Sequence, residues 1–428
     1  MNGTEMYALA ERLYPICRSL TGEGVRESLR ILKEYVPELQ IHEVPTGTKA
    51  YDWEIPMEWE IKEGYIEDSN GRKIIDFAEN NLHIMGYSEP VDLYVSKEKL
   101  LEYIYVEESR PNAIPYVTSY YKARCGFCMS KNQRDSLKDD TYHIYIDSRK
   151  KKGSMTYAEM ILPPEFGGKA EKEIFFSTYI CHPSMGNNEL SGPCLMVALI
   201  NEIKKIKNRR YTYRFLIAPE TIGAIYYISR NLDVLKRRMA AGYVLSCVGD
   251  NRVYSYVPSR EGNTLADRVA RIVLNDYAPD YIAYSFLERA SDERQYCAPG
   301  VDLPVCVVCR SKYGCYPEYH TSDDDMTLIS PEGFEGSLEL YKRILLTLEY
   351  NAHYRVTCMC EPQLGKRGLY PTVSKKNSYD SVTAMLDFLA YADGKRDLVE
   401  ISEVIHQPVE ALIPVIDKLI SEKLIEVG

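Results

Sequence analysis

The stretch "KEIFFSTYICHPSMGNNELSGPCLMVALINEIKKI", residues 172–206, decides the fold class of this chain. Its first nine residues form an almost continuous apolar run, which is typical of a strand that is buried on both faces of a parallel sheet. A short polar loop follows, and Ser191 and Gly192 then open an apolar helix. A strand, a loop and a helix in this order form one unit of an α/β domain.

The same alternation continues to residue 351. Strands are predicted at "YTYRFLIAPE" (211–220), "AGYVLSCV" (241–248) and "DLPVCVVCR" (302–310), and apolar-periodic helices lie between and after them. The fold class that we expect is α/β, with a mixed, mostly parallel sheet and helices on both of its faces. Ligands of such folds bind outside the carboxyl ends of the strands, so polar residues at those ends are candidates for function.

Different patterns flank this α/β region. Residues 5–37 have helical periodicity, and residues 51–119 show short strands with a hairpin through Asn70 and Gly71. Residues 380–428 show three helices and a short strand, as in a winged helix. We therefore expect an α/β domain from 1–50 and 120–354, an inserted small β domain at 51–119 and a winged-helix-like domain at 355–428.

The negative charge of the chain limits the kinds of partner that it can bind. The chain has 428 residues, a net charge of −10 and a pI near 5.4, and its third predicted C-terminal helix carries Glu410, Asp417 and Glu422. Such charges repel phosphate, so we expect no nucleic-acid partner and assign the C-terminal domain to packing or to homo-oligomer formation. DNA binding that weakens with salt would revive the alternative of a transcription regulator.

The N-terminal residues lack the apolar core of a secretory signal, and no apolar run approaches the roughly 18 residues of a membrane span. We therefore expect a cytoplasmic protein without a membrane partner. The twelve cysteines are expected to stay reduced in that compartment.

Oxygen and nitrogen donors gather at the predicted strand ends. His182 follows the first strand, Glu220 ends the second, Asp250 follows the third, and His320 lies in "YPEYHTSDDD" before the last long helix. A catalytic zinc ion needs about three protein ligands and one open position, which this set offers. Nearby loops hold residues that could contact a substrate: Asp292, Arg260, Arg289 and Arg310, besides Trp53 and Trp59 of the inserted segment.

The motifs "CHPSMGNNELSG", "APETIG", "VLSCVGD", "SDERQYCAPGVDLP" and "YHTSDDDMTLI", in this order, resemble the co-catalytic zinc aminopeptidases and carboxypeptidases of the bacterial leucyl-aminopeptidase type. The chain resembles more closely an aminopeptidase-like family that is often linked to polysaccharide biosynthesis. The resemblance implies that His182 and His320 are metal ligands, that Glu220 is a base or a ligand, and that Asp250 is a less secure terminal ligand. Asp292 would be a structural acid of the substrate wall.

One departure from that family concerns the metal count. Asn188 occupies the position of the bridging aspartate, and an amide lacks the charge that holds two divalent cations together. We expect one zinc ion, with the second weakened, in a hydrolase that cleaves an amide of a small peptide or of an amino-acid or sugar conjugate. The alternative is a catalytically impaired binding protein of a surface-glycan pathway that keeps the peptidase fold.

Overall fold

The computed structural model describes residues 1–165, 171–369 and 380–428. The described chain divides into two compact units. The first comprises Met1–Gly262 and Ile282–Leu338, and the second comprises Asn263–Tyr281 and Glu339–Gly428. Each unit is described by itself.

The strands are, in chain order, β1 (Gln40–Pro45), β2 (Lys49–Ala50), β3 (Trp53–Glu54), β4 (Glu58–Glu67), β5 (Lys73–Asp76), β6 (Val91–Ser96), β7 (Ile104–Tyr105), β8 (Phe127–Cys128), β9 (Thr141–Lys151), β10 (Ser154–Leu162), β11 (Glu173–Tyr179), β12 (Thr212–Ala218), β13 (Met239–Val244), β14 (Ser255–Val257), β15 (Ile282–Ala283), β16 (Val305–Cys309), β17 (His353–Val356), β18 (Asp393–Asp397) and β19 (Ile425–Val427).

The α-helices are α1 (Gly3–Leu13), α2 (Glu23–Tyr35), α3 (Lys97–Leu101), α4 (Lys131–Asp135), α5 (Ser191–Ile203), α6 (Ile222–Arg238), α7 (Leu265–Tyr277), α8 (Glu293–Tyr296), α9 (Pro331–Tyr350), α10 (Asp380–Tyr391), α11 (Leu398–Ile405) and α12 (Val409–Ser421). A single π-helical turn, Gly186–Leu190, leads directly into α5. Short 3₁₀ turns lie at Asn81–His83, Phe286–Glu288 and Gly365–Arg367.

An eight-stranded sheet organises the first unit, in the order β1-β10-β12-β11-β13-β16-β14-β15. The central pairs β12–β11, β11–β13 and β13–β16 are parallel, whereas β1, β10 and the pairing of β14 with β16 are antiparallel. Every residue of β11 and β12 is buried, as their apolar runs predict for strands covered on both faces. The predicted fold class is confirmed.

The predicted helical region 5–37 consists of two helices, not one. Helix α1 ends at Leu13 and α2 begins at Glu23. The segment between them contains Pro15, which has no N–H to continue the helical hydrogen bonds, and Gly22, which caps α2 at a φ of 102°. This break brings Arg18 into the interior of the unit.

The inserted segment forms a four-stranded antiparallel sheet in the order β5-β4-β9-β6. Strands β4 and β5 form the hairpin predicted through Asn70 and Gly71. The longest strand pairing of the four-stranded sheet joins β4 to β9. Strand β9 lies beyond the expected domain boundary at residue 119. The hydrophobic face of the sheet carries Ile66 of β4 and Ile144 and Ile146 of β9. Successive side chains of a strand point to opposite faces, so both strands direct these residues into the same core.

His143 on β9 gives the first testable prediction. Its Nε2 lies 2.8 Å from Asp92 Oδ1 and its Nδ1 lies 3.2 Å from Glu67 Oε2. Burial alone would lower the pKa of His143, but the two carboxylates outweigh that effect and raise it. The imidazolium therefore adds stability below its unfolded pKa, near 6.5, and loses this contribution as the pH rises through the raised folded pKa. NMR titration is expected to give a pKa above 6.5 that an Asp92→Asn substitution lowers; an unchanged value would contradict this.

The second unit contains the winged-helix elements. Strands β18, β17 and β19 form its small sheet, and α10, α11 and α12 bury a core that includes Phe388 and Leu412. Arg268 of α7 binds Asp397 at the N-cap of α11, with Nη2 2.6 Å from Oδ2. Within this unit α12 also contacts the C-terminal part of α9, through Arg343 with Glu410 and Tyr350 with Asp417.

Among the helices in the described parts of the chain, none combines the length and the apolar character that crossing a membrane requires.

Candidate active site

A cleft of about 280 Å³ lies in the first unit near the carboxyl ends of β11 and β12. His182 and Glu220 come from the loops that follow these strands, and His320 comes from the loop before α9. An aromatic wall is added by the segment around residues 53 and 116–121. The complete lining is Leu20, Trp53, Tyr116, Thr118, Tyr120, Tyr121, Cys181, His182, Glu220, Thr221, Ile222, Arg294 and His320.

His182 is held by a buried carboxylate. Its Nδ1 lies 2.8 Å from Glu189 Oε2, while the other carboxylate oxygen accepts the Cys181 backbone N–H at 2.5 Å. Arg18 Nε lies 3.7 Å from that oxygen, and the side chains of Arg18 and Glu189 are both fully buried. Burial would lower the pKa of His182, but Cys181 and Glu189 outweigh it and raise the pKa well above the usual range. The hydrogen bond at Nδ1 leaves Nε2 directed to the opposite side of the ring.

The ligand atoms of Cys181, His182 and Glu189 all lie within 4.8 Å of one another, the arrangement that a metal site requires. Their hydrogen bonds already satisfy them, however. The Cys181 thiol accepts the Glu220 backbone N–H at 3.3 Å, and burial raises its pKa to about 11, so it remains protonated at neutral pH. We assign this trio to the support of His182 and not to a metal, since a thiol binds metal as the thiolate.

His320 lies beside His182 in the cleft. Its ring stacks on Tyr319 at a centroid distance of 3.8 Å. The His182 and His320 rings contact each other at 5.4 Å, and Tyr116 packs against both of them at 5.1 and 5.2 Å. Burial, together with the charge of His182, lowers the pKa of His320 to about 3, so the imidazole is neutral. Its buried Nε2 has no hydrogen-bond partner among the described residues.

Glu220 is positioned by a strained turn. Thr221, the next residue, has φ 65° and ψ −73°, and Ile222 N–H donates to the Glu220 carbonyl at 2.7 Å. These values describe a γ-turn, which is rare and costly for a β-branched residue. The Glu220 carboxylate lies 3.6 Å from His182 Nε2, and burial raises the pKa of Glu220 although His182 opposes the rise.

Asp292 and Arg294 hold this turn in place. Asp292 Oδ1 accepts the Thr221 N–H at 2.7 Å, and Arg294 Nη2 donates to the Thr221 hydroxyl at 2.6 Å. Burial raises the pKa of Asp292 well above its usual range, and the nearby Glu220 raises it further. Asp292, predicted as a wall residue, therefore supports Glu220 from behind and does not line the cleft.

We expect Asp292→Ala to lower kcat by about 10- to 100-fold, because the turn loses its acceptor and a displacement of Glu220 by about 1 Å is costly. Asp292→Asn is the matched control, since its amide oxygen still accepts the Thr221 N–H. The two variants are compared by steady-state kinetics and by their metal content. Equal losses of kcat in both variants would show that the charge, and not the hydrogen bond, is what Asp292 contributes.

Asn188 lies in a neutral buried network. Its Nδ2 donates to the Tyr179 hydroxyl at 2.8 Å and approaches Cys247 Sγ at 3.8 Å, and Tyr179 also bonds the Ser246 hydroxyl. Its Oδ1 has no partner among the described residues. Ser246 and Cys247 lie where the resemblance implies a terminal aspartate, so a hydroxyl and a thiol stand there in this chain.

Asp250, expected as a terminal ligand, does not line the cleft. It is fully buried, and its oxygens accept from Asn187 Nδ2 and from the N–H and hydroxyl of Ser311, each at 2.9 Å. Through the bonds to Ser311, the Asp250 carboxylate links the loop after β13, on which it lies, to the loop after β16. The structure therefore places Asp250 among protein donors and not in the cleft lining, where the sequence led us to expect it.

The three predicted substrate-binding arginines also lie outside the cleft lining. Arg310 is buried, donates to the Asp250 carbonyl at 2.8 Å and stacks on Tyr254. Arg260 forms an ion pair with Asp302 on the surface, and Arg289 lies over the Phe286 ring. Each of the three guanidinium groups contacts a nearby side chain or carbonyl. The sequence shows only that these arginines lie in loops, and it does not show these partners.

Four residues of the site were not predicted for the roles that the structure gives them. Glu189 and Arg18 support His182, Tyr116 packs against both imidazoles, and Arg294 contributes the guanidinium of the cleft. Glu189 and Arg294 lie inside motifs that the sequence already singled out. Arg18 and Tyr116 are distant in sequence and carried no signal. Of the two tryptophans that could contact a substrate, Trp53 lines the cleft. Trp59 is buried and donates to the Ser88 carbonyl.

The donors present are of kinds that zinc accepts. The acceptors His320 Nε2 and Asn188 Oδ1 are buried without a donor, an arrangement that costs free energy unless a cation or water completes it. His182 Nε2 adds a second imidazole, and imidazole nitrogen suits zinc. Glu189 bonds the other nitrogen of His182, which is the usual outer support of a metal-binding histidine.

Comparisons with known proteins agree with this architecture. Residues 7–351 match the family model of a domain of unknown function, DUF4910, and residues 352–427 match a winged helix-turn-helix model. A protein of Clostridium acetobutylicum, described as a polysaccharide biosynthesis protein with an aminopeptidase-like domain, is 42% identical over 94% of this chain and 91% of its own length.

Solved structures show the same fold. A crystal structure described as a peptidase from Clostridium acetobutylicum has a TM-score of 0.92 and 40% identity, and the match covers 100% of this chain and 96% of that chain. A zinc aminopeptidase from Bacillus subtilis has a TM-score of 0.59 at 13% identity, over 81% of this chain and 95% of that chain. The latter likeness concerns the fold alone.

Proposed function

Because the chain belongs to the DUF4910 family and has an aminopeptidase-like fold, we propose that it is a zinc-dependent hydrolase that cleaves an amide bond of a peptide or of an amino-acid or sugar conjugate. The observation that carries the proposal is the cleft in which two imidazoles and Glu220 converge. The zinc aminopeptidase of similar fold and the polysaccharide-biosynthesis description of the relative support the cofactor and the substrate class.

In this proposal His182, which would lose its Nε2 proton on binding the metal, would hold one zinc ion together with His320 and Asn188. When bound, zinc polarises the substrate carbonyl and activates water for attack at neutral pH. Glu189 keeps His182 in one orientation through the bond at Nδ1. The aromatic wall with Tyr116, Tyr120 and Tyr121 offers apolar surface to the rest of the substrate.

Glu220 is the carboxylate that lines the cleft, and in this proposal it moves the proton. It takes a proton from the attacking water, and the water oxygen bonds to the carbonyl carbon. The carbon–nitrogen bond then breaks, and Glu220 returns the proton to the leaving amine. Burial, which raises the pKa of Glu220, favours the protonated state that the second step requires.

Hydrolysis of a panel of amides, measured with and without added zinc, tests this proposal. The panel contains aminoacyl p-nitroanilides and N-acyl amino acids. We expect turnover that requires about one zinc per chain, stops with a chelator and is lost in His320→Ala. A protein that carries zinc at His182 and His320 but cleaves none of the panel would contradict the proposal.

A binding protein of a surface-glycan pathway is the second candidate. The observation that favours it is the neutral network of Asn188, Tyr179, Ser246 and Cys247, in the place where co-catalytic enzymes hold a second metal. In that case the cleft would bind a ligand without turnover. Calorimetric binding of a glycan fragment by a protein that hydrolyses nothing would support this candidate.

A further inference from the structure

The charges of the cleft are few. Glu220 is the carboxylate of its lining and Arg294 the guanidinium, besides the two histidines. Asp292 and Glu293 are close by, but both are almost fully buried and neither lines the cleft. A substrate ammonium group would therefore have to share Glu220, which the proposed function uses for proton transfer.

Arg294, in contrast, has donors available. Its side chain is exposed and forms a hydrogen bond to the Thr221 hydroxyl through Nη2. Within the described ranges, no carboxylate forms an ion pair with it, unlike Arg260, which is paired with Asp302. A guanidinium has five N–H donors in a planar fork that matches a carboxylate, so Arg294 retains enough donors for bidentate binding.

The position of Arg294 limits where that carboxylate lies on the substrate. Arg294 bonds Thr221, the residue directly after Glu220, and Glu220 serves the leaving amine in the proposed reaction. An α-carboxylate is separated from the amide nitrogen by a single carbon atom. The carboxylate thus neighbours the amide nitrogen on the substrate, as Thr221, the partner of Arg294, neighbours Glu220 in the chain.

On the basis of the proposed function, we infer that the substrate is an N-acyl amino acid, the last residue of a peptide included, whose free α-carboxylate binds Arg294. The acyl group contacts the aromatic wall, where Trp53 and Tyr121 pack edge to face at 5.8 Å. Hydrolysis adds water across the amide bond and releases a carboxylic acid and a free amino acid. Arg294 is thus a specificity-determining residue.

A matched substrate pair tests this inference with the zinc-loaded full chain. Benzoyl-glycyl-phenylalanine is compared with its C-terminal amide and with phenylalanine p-nitroanilide. Since a hydrogen bond to a charged group contributes about 1.5–3 kcal/mol, we expect kcat/KM of the free acid to exceed that of its amide by about 10- to 150-fold. Equal rates for acid and amide, or a preference for the p-nitroanilide, would overturn the inference and leave the hydrolase standing.

Variants separate recognition from positioning. Arg294→Gln is expected to remove the preference for the acid, mainly through KM, and Arg294→Lys to restore part of it. Thr221→Val deletes the hydroxyl that Arg294 bonds but keeps the β-branched shape, so it should retain the preference. If Thr221→Val behaves like Arg294→Gln, Arg294 acts only through the turn and the inference fails. Arg289→Gln, outside the cleft, is the control.

Binding to a Glu220→Gln variant is measured by calorimetry as a readout that does not need turnover. The inference predicts binding of the free acid that is at least about 10-fold tighter than that of its amide. This result together with no turnover by the native chain would refute the proposed function while keeping the ligand class. Equal binding of the two compounds would refute the ligand class.

Discussion

Glu220→Gln is expected to lower kcat by about 10²- to 10⁴-fold, the usual contribution of a positioned acid–base group. The glutamine is of the same size but cannot take a proton from water or return one to the leaving amine. Zinc content should stay near one per chain, because the ion would be held by His182, His320 and Asn188 and not by Glu220. Steady-state kinetics and elemental mass spectrometry measure the two quantities on the same preparation.

The zinc content of this variant also decides between the two roles that Glu220 could have. Loss of zinc together with activity would show that Glu220 is a ligand and that another group is the base. Glu261→Gln is a suitable control, since Glu261 is an exposed carboxylate next to Arg260, outside the cleft. Its kinetics and zinc content should equal those of the native chain.

Glu189→Gln is expected to lower the free energy of unfolding of the first unit by about 3–5 kcal/mol, the cost of leaving a buried charge without its partner. Arg18 and Glu189 are fully buried, and Arg18 donates otherwise only to neutral groups such as the His182 and Leu13 carbonyls. Urea unfolding followed by tryptophan fluorescence measures this effect. Both tryptophans, Trp53 and Trp59, lie in the first unit, so the signal reports that unit alone.

The double variant Arg18→Met with Glu189→Gln is the control for this prediction. It removes both charges, so its loss of stability should be smaller than the sum of the two single losses. Additive losses would mean that Arg18 and Glu189 do not compensate each other. We also expect zinc affinity to fall by about 10- to 100-fold in Glu189→Gln, since outer partners of metal-binding histidines contribute that much.

The main layer of the fold follows from hydrophobic periodicity. Strand β11 is an apolar run between polar ends, and α5 follows a loop that contains Gly186, so their order and type are local properties of the sequence. Strand β9 is different. It pairs with β4, from which it is separated by most of the inserted segment. Several strands there have alternating apolar and polar residues, and the local sequence does not indicate which of them become neighbours.

The same distinction applies to the site. His182, Glu220 and His320 follow or precede predicted elements of the sheet, and the carboxyl ends of parallel strands meet at one edge, so their proximity could be predicted. Asp250 follows a strand as well, yet the Ser311 and Asn187 side chains use its carboxylate. Side-chain direction within a loop depends on partners that are distant in sequence, which is also why Arg18 and Tyr116 were not foreseen.

Zinc content of protein purified without a histidine tag or added metal tests the central claim most directly, which is that one zinc ion binds between His182 and His320. Elemental mass spectrometry should give about one zinc per chain in the native protein, and close to none in His182→Ala and in His320→Ala. Native protein without zinc, or zinc that remains in both variants, would contradict the account.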